Sequence, residues 1–388
     1  MDAQTLLDRL RREIGEIGAD EAAAQAASGK RTLVDVREEP ERAAGAPDPS
    51  MSLPRSRLEL RLAESGLGAE QPLALICASG SRSLLAAETL RQIGFSDVRS
   101  VAGGFDAWKA AGLPVARGGL DADASDRYSR HLRLPEIGLD GQGKLAAARV
   151  LVVGAGGLGS PCLLYLAAAG VGELRVVDDD RVERSNLQRQ VLHNDARIGI
   201  AKAESARATL EALNPRIRVD ARVGRLGEDN VDALVADCDL VVDGSDNLST
   251  RYLLSDRCVV LRKPLVYAAV HRFEGQVTVF DAGRRRGQSP CYRCLFPLPP
   301  ERDAAPNCAE VGVLGAVPGV LGLLQATEAL KLILGLGESL DGRLLCVDLL
   351  SMEFRSLRLR PDPDCPACGA GGAPLSVPGQ VCASDGAG

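Results

Sequence analysis

Residues 75–83 read LICASGSRS: an apolar run ending on Cys77, a loop of small residues, then Arg82 and Ser83. A thiol becomes a nucleophile when its thiolate is stabilised, and backbone N–H groups at a helix N-terminus do this well. The small residues let successive N–H groups turn inward, a helical pattern starts at Ser83 or Leu84, and Arg82 adds a positive charge at the far end of the loop. The same run also fits a buried cysteine ahead of an ordinary strand–helix turn, since free cysteine is among the most buried residue types. Two further thiol pairs, CYRC at 291–294 and CPAC at 365–368, have the spacing of zinc knuckles. Four thiolates close a tetrahedral zinc shell and leave no position for water, so a site built from Cys291, Cys294, Cys365 and Cys368 is structural. The 70 residues between the pairs would make the metal a staple between distant segments. The alternatives are two coincidental pairs or a redox disulfide.

GAGGLG (Gly154, Gly156, Gly157 and Gly159) follows a strand pattern and precedes a helical one. Glycines there permit a tight turn and let backbone amides approach phosphates, and Asp178 at the end of the next strand is placed to bond a ribose hydroxyl. Alone, this motif predicts an NAD-dependent dehydrogenase. SNLQRQ follows, with Ser185, Asn186, Leu187, Gln188 and Arg189, then Lys202, then Asp246 and Asn247 in VVDGSDN. Arg189 and Lys202 can neutralise a triphosphate and Asp246 can hold magnesium. Hydride transfer moves no phosphate charge and needs no such cluster. Each residue taken singly reads as solvated surface.

These groups need rigid elements to position them. Before residue 120, short apolar runs (TLVDV, LALIC, VRSVAG) alternate with helical stretches such as SLLAAETLRQIG, the pattern of a small α/β domain with a parallel sheet. Residues 116–126, ARGGLDADASD, read as a linker, and a second, larger α/β pattern starts at ARVLVVGAGGLG. The expected division is 1–118, a linker at 119–125, 126–370, and a low-complexity tail at 371–388. At 388 residues the chain is comfortable for two domains. Its net charge of −6 argues against a general nucleic-acid binder. The N-terminus lacks the apolar core of a signal peptide, and Val311 to Thr327, broken by Pro318 and glycines, reads as a buried helix rather than a membrane span. A cytoplasmic location follows, where eleven cysteines sort into metal ligands, reactive thiols and core residues rather than disulfides. Cys162, Cys238, Cys258 and Cys346 sit among apolar residues and read as core, and the three histidines lack metal spacing.

LVDVREEPE (33–41), LICASGSRS and VAGGFDAWKAAGLPV (101–115) occur in this order, and together they resemble the rhodanese-like sulfurtransferase family over residues 15 to 117. The resemblance implies that Cys77 carries a persulfide cradled by the loop through Arg82, with Asp35 and Arg37 in a structural role. Four residues separate Cys77 from Arg82, one fewer than in the related phosphatases, which favours sulfur over phosphate. RYSRHLRLPEIGLDGQGKL, GAGGLG, SNLQRQ, SDN, the paired CxxC motifs and NCAEVGVLG carry a second resemblance, from Asp126 to Gly369. That segment is similar to the MoeB/ThiF family, adenylyltransferases that activate ubiquitin-like sulfur carrier proteins, which implies a Rossmann-like ATP-binding α/β domain with a mixed sheet and a zinc knuckle.

Carried over by position, this second resemblance implies that the residues named above from the glycine loop through Asn247 bind ATP with magnesium, and that the four knuckle cysteines hold zinc. Arg130 would reach into a partner subunit's nucleotide site, which implies a homodimer. Cys308 matches a position where some members link covalently to the carrier and others do not need the thiol. The implied reaction adenylates the C-terminal Gly-Gly carboxylate of a carrier of the molybdopterin-synthase small-subunit type. Sulfur from Cys77, loaded by thiosulfate or a cysteine desulfurase persulfide, then gives a thiocarboxylate. The alternatives are adenylation alone, with the rhodanese-like part an independent sulfurtransferase or docking module, and an NAD-dependent oxidoreductase. Thiamine, cysteine, siderophore and tRNA thiolation use the same chemistry, so the pathway is open. In the eukaryotic two-domain members the rhodanese-like part comes second; here it comes first.

Overall fold

A computed structural model describes residues 2–43, 45–63, 65–116, 120–298 and 312–369. The chain divides into two compact units, Met1–Gly143 and Lys144–Gly388. In the first, five strands form one parallel sheet: β1 (Glu16–Ile17), β2 (Thr32–Asp35), β4 (Met51–Ser52), β5 (Leu73–Ile76) and β6 (Val98–Val101), in the order β1-β6-β5-β2-β4. A two-residue ladder of β3 (Ala46–Pro47) and β7 (Val115–Ala116) stands beside it. Leu73 to Ile76 are all buried because helices cover both faces, so β5 reads as a continuous apolar run rather than an alternating one. Leu73 and Leu75 pack with Leu10, Leu84 and Leu90 on one face, while Ala74 and Ile76 pack with Ala22, Phe105 and Trp108 on the other. Part of the stretch read as a linker folds: Ala122–Arg127 is a helix capped by Asp121, whose carboxylate accepts from the Ala124 N–H at 2.9 Å. The unit continues to Gly143. Residues 117–119, the expected tail at 371–388 and Cys308 lie outside the described residues.

The second unit holds one mixed sheet of eight strands: β8 (Arg149–Val153), β9 (Glu173–Asp178), β10 (Arg218–Val223), β11 (Leu240–Asp243), β12 (Leu265–His271), β13 (Glu274–Phe280), β14 (Arg343–Asp348) and β15 (Glu353–Arg358). Their order is β10-β9-β8-β11-β12-β13-β14-β15, parallel from β10 to β12 and antiparallel from there on. The chain winds outward from β8 to β10 and then crosses to β11 on the other side. That reversal opens a crevice at the carboxyl ends of β8 and β11, where open α/β sheets take ligands.

Glycine makes the crevice possible. Gly154 has φ +93°, and a Cβ on it would lie 2.6 Å from the Gly244 oxygen. A Cβ on Gly159, which opens the helix Gly159–Ala169, would lie 1.8 Å from the Gly154 oxygen. The helix Ala316–Leu334 packs against that helix, with Pro318, Leu321 and Gln325 buried. By length and composition it could cross a membrane, yet half of its most apolar window is buried in the unit. It begins after Val311, so the apolar stretch expected to form a buried helix does so from Ala316 onward.

Gly159→Ala should therefore cost about 2 kcal/mol or more, the usual penalty for forcing atoms into a packed site. At this size that corresponds to a fall of roughly 4–8 °C in the unfolding midpoint. Gly143→Ala, whose Cβ meets nothing within 4 Å, is the control and should not lower it. Calorimetry of the two variants checks both.

Candidate functional site

In the second unit the crevice is a cavity of about 330 Å³, walled by the glycine loop, the end of β9 and the turn after β11. Of the residues anticipated for a nucleotide, Gly154, Gly156, Gly157, Asp178, Arg189, Lys202, Asp246 and Asn247 line it. Asp178 is nearly buried and ties the wall together, one carboxylate oxygen accepting from the Ala155 N–H at 2.7 Å and the other from Asp180 at 2.9 Å. Burial pushes its pKa up, against those two hydrogen bonds. His193 supports the same loop from behind. Its Nε2–H donates to the Ala155 carbonyl at 3.0 Å, and its Nδ1 accepts from Ser205 Oγ at 2.8 Å. Burial holds this imidazole below its ordinary pKa, which fits a buttress and not a proton carrier.

Lys202 is only 5% exposed, and its ammonium is aimed by Asp180 at 2.7 Å. Arg189 donates to the Ser185 carbonyl at 3.2 Å. Asn247 caps the helix Leu248–Leu261, accepting from the Thr250 N–H at 2.9 Å. Ser185, Asn186, Leu187 and Gln188 do not line the cavity; they form the turn that delivers Arg189, and Gln188 packs against Gly315. Gly159 lies beneath the loop, where it permits the close helix approach.

Lining residues that were not anticipated include Asp180, Arg251 and Gln190. Asp180 orients Lys202. Arg251 is partly buried, donates to the Ser245 carbonyl at 2.9 Å and stands 3.8 Å from Asp243. Its signal was present in the sequence, since it lies four residues after Asn247 and so on the same helix face. Gln190 is 4% exposed, and its side-chain oxygen has no partner. A glycine cradle in which a Cβ on Gly154 would meet the Gly244 oxygen, the cations Arg189, Lys202, Arg225 and Arg251, and an orphaned buried amide oxygen fit a nucleoside triphosphate.

Cys291, Cys294, Cys365 and Cys368 place their sulfurs within 4.8 Å of one another, with separations of 3.9, 3.5 and 3.4 Å between neighbours. Zinc at 2.3 Å from four sulfurs requires S···S separations of about 3.8 Å, so the donor set fits. The hydrogen bond between Cys291 and Cys294 holds a proton on the first, pushing its pKa up, and charge on the second, drawing its pKa down. The knuckle is anchored to the pocket helix: Arg293 donates to Asp256 at 2.8 Å, and the Tyr292 N–H to Ser255 at 3.1 Å.

In the first unit Cys77 follows β5 and is 1% exposed. Its sulfur accepts from the Gly80 N–H at 3.1 Å and from Ser83 Oγ at 3.4 Å. Gly80, at φ +99°, turns that amide inward ahead of the helix Ser81–Ile93. Arg82 is not turned to the sulfur: its guanidinium makes a two-pronged pair with Glu41 at 2.7 and 2.6 Å. Asp35 and Arg37 form a buried pair at 2.7 Å, and Arg37 also covers Phe105, a structural arrangement. Arg130 is exposed on the short helix Ser129–Leu132. Cys162, Cys238 and Cys258 are core thiols that burial pushes up, Cys238 to about 11.

Residues 128–367 match the ThiF family and residues 18–111 match the rhodanese-like domain. The SAMP-activating enzyme E1 of Haloferax volcanii is 55% identical over 65% of this chain and 92% of its own length. The sulfur carrier protein adenylyltransferase of Thermus thermophilus is 53% identical over 63% and 90%. The adenylyltransferase and sulfurtransferase MOCS3 of Mus musculus is 54% identical over 66% of this chain and 55% of its own length. Among solved structures, E. coli MccB with MccA-N7isoASN superposes with a TM-score of 0.56 at 22% identity, covering 66% of this chain and 76% of that one.

The sulfur cluster predicts one zinc per chain by elemental analysis. Cys365→Ser or a strong chelator should lower the unfolding midpoint of the second unit by roughly 5 °C or more, because structural zinc contributes folding energy directly. A chain purified with no zinc and no response to chelation would contradict the assignment.

Proposed function

Because the chain belongs to the ThiF family and carries a rhodanese-like domain ahead of it, we propose that it adenylates the C-terminal Gly-Gly carboxylate of a ubiquitin-like sulfur carrier protein and then supplies sulfur to it. The sulfurtransferase part is assigned to 1–118 and the adenylyltransferase part to 126–370. One observation carries the reading: Arg189 and Lys202 share a cavity with the glycine-loop amides and Asp246. That is a site for moving phosphate charge, which a dehydrogenase has no need of.

The carrier carboxylate has an ordinary pKa of about 3.5, so at neutral pH it is a nucleophile without a general base. A carboxylate oxygen bonds to the α-phosphorus of ATP as the bond to pyrophosphate breaks, giving an acyl-adenylate. The protein's contribution is position and charge. The glycine amides approach the phosphates, Arg189 and Lys202 take up developing charge, and Asp178 faces the ribose. Arg130, supplied by a second copy in a homodimer, adds a further cation. Magnesium, held by Asp246, would neutralise phosphate charge. The four cysteines would hold zinc, which would fix the knuckle without a chemical step.

The outer sulfur of a Cys77 persulfide then attacks the activated carbonyl and AMP leaves. A second thiolate, for which Cys308 is the proposed group, cleaves the S–S bond. This releases the thiocarboxylate and leaves a disulfide for a cellular thiol to reduce. The molybdopterin-synthase small subunit is the type of carrier proposed.

With a Gly-Gly-ended carrier, ATP–pyrophosphate exchange should be measurable. Asp246→Ala should lower it by about 100-fold or more, the scale for losing one group that stabilises transition-state charge, while sparing sulfur transfer to cyanide. Cys77→Ala should do the reverse, keeping exchange and abolishing thiocarboxylate by mass analysis of the carrier. Absence of carrier-dependent exchange would sink the adenylation reading.

A further inference from the structure

Adenylation as proposed above depends on Asp246, yet that carboxylate is exposed and makes no hydrogen bond or ion pair among the described residues. Only its backbone aims it, and the backbone is gripped from both sides. Asp243, at the end of β11, is fully buried and does not line the cavity. Its Oδ1 accepts from the Ser245 N–H at 2.9 Å and from Ser245 Oγ at 2.6 Å. Arg251, on the helix Leu248–Leu261, donates through Nη2 to the Ser245 carbonyl at 2.9 Å. That carbonyl belongs to the planar peptide joining Ser245 to Asp246, so holding it fixes the plane from which the Asp246 side chain departs. The Gly244 N–H, bonded to the Val153 carbonyl at 2.8 Å, anchors the same turn to β8.

Asp243 Oδ2 and Arg251 Nε are buried, have no hydrogen-bond partner and stand 3.8 Å apart. The two groups attract without bonding each other, so the directional bonds of both go to residue 245. Arg251 also lies 5.5 Å from the centre of the Tyr267 ring, within reach of a cation–π contact. Gln325 donates to the Asp243 carbonyl at 2.7 Å and fixes the strand end itself.

We propose that Asp243 is a positioning residue for adenylation: with Arg251 it clamps residue 245 and thereby aims the Asp246 carboxylate into the cavity. This rests on the adenylation reading above. Arg251 lines the cavity and presents its own charge there, whereas Asp243 can act only through Ser245 and Arg251. A misplacement of about 1 Å can cost a reaction roughly 100-fold. The loss from a loosened clamp therefore falls on kcat and leaves ATP binding in place.

The test measures carrier-dependent ATP–pyrophosphate exchange, and ATP affinity by calorimetry, in the full-length protein. Asp243→Asn keeps the shape and an acceptor for the Ser245 N–H while removing the charge that faces Arg251. Its kcat should fall roughly tenfold or more, with ATP affinity within about threefold of wild type. Made in an Asp246→Ala background, the same substitution should change kcat by less than about twofold, because no carboxylate is left to aim. A merely structural role would lower both backgrounds alike. Arg251→Lys keeps a buried charge opposite Asp243 and gives a second reading if the asparagine variant does not fold. Its loss of kcat should likewise shrink in the Asp246→Ala background. A loss of the same size in both backgrounds, or a kcat for Asp243→Asn within about twofold of wild type, overturns the aiming role alone. Absence of exchange in the wild type overturns the adenylation reading itself.

Discussion

The hydrogen bonds that Asp178 accepts from Ala155 and Asp180 organise the second unit. Backbone N–H groups can face a phosphate only if the chain turns sharply after a strand, and such a turn would unravel without something holding its amides. A buried carboxylate at the end of the neighbouring strand supplies that hold. It costs desolvation, seen in the upward push on its pKa, and the paired N–H donors offset the cost. His193 gripping the Ala155 carbonyl from the opposite side fixes the same peptide. Lys202 is then positioned through Asp180, so one acidic segment sets both the amides and a cation.

A mechanical link runs from this loop to the sulfur cluster. Asp246 and Asn247 precede the helix Leu248–Leu261, and Asn247 caps it. Further along, Ser255 and Asp256 bind the backbone of Tyr292 and the side chain of Arg293, both inside the CYRC knuckle. Asp256 is 3% exposed and Arg293 7%. A buried pair that loses one partner strands a charge, so the coupling is stiff. A metal held by the cysteines would thus bear on the angle of the helix that presents Asp246.

The features legible in the sequence were those written into local backbone geometry. Gly154 and Gly159 are required by close approaches of under 3 Å, and CxxC spacing is required by the turn that converges two sulfurs. Both leave a mark that needs no tertiary information. The parallel sheet around Cys77 was legible for the same reason, since β5 is buried on both faces and reads as an unbroken apolar run. What stayed hidden depends on the fold. Asp180 and Glu41 look like ordinary surface acids until the chain brings Lys202 and Arg82 to them, 22 and 41 residues away. SNLQ reads as a ligand-binding string, yet its backbone carries the contact: the Ser185 carbonyl steers Arg189 while the four side chains stay off the cavity wall.

The two units solve one electrostatic problem in the same way. Each ends a buried parallel strand, turns on glycine, and aims the amides of the following helix at a place where negative charge must sit: phosphate after β8, sulfur after β5. Amides alone are indifferent to which anion arrives, so selectivity falls to the side chains at the rim. In the second unit Arg189, bonded to a backbone carbonyl, and Lys202, aimed by Asp180, face the cavity together with Arg225 and Arg251, as the proposed triphosphate site requires. In the first, Glu41 pairs with the loop arginine Arg82, and a thiolate and its persulfide are the proposed occupants. On the proposed reading, the difference between binding a polyanion and carrying a single sulfur lies in the rim arginine: Arg189 is bonded to a carbonyl, whereas Arg82 is bonded to a carboxylate within the fold.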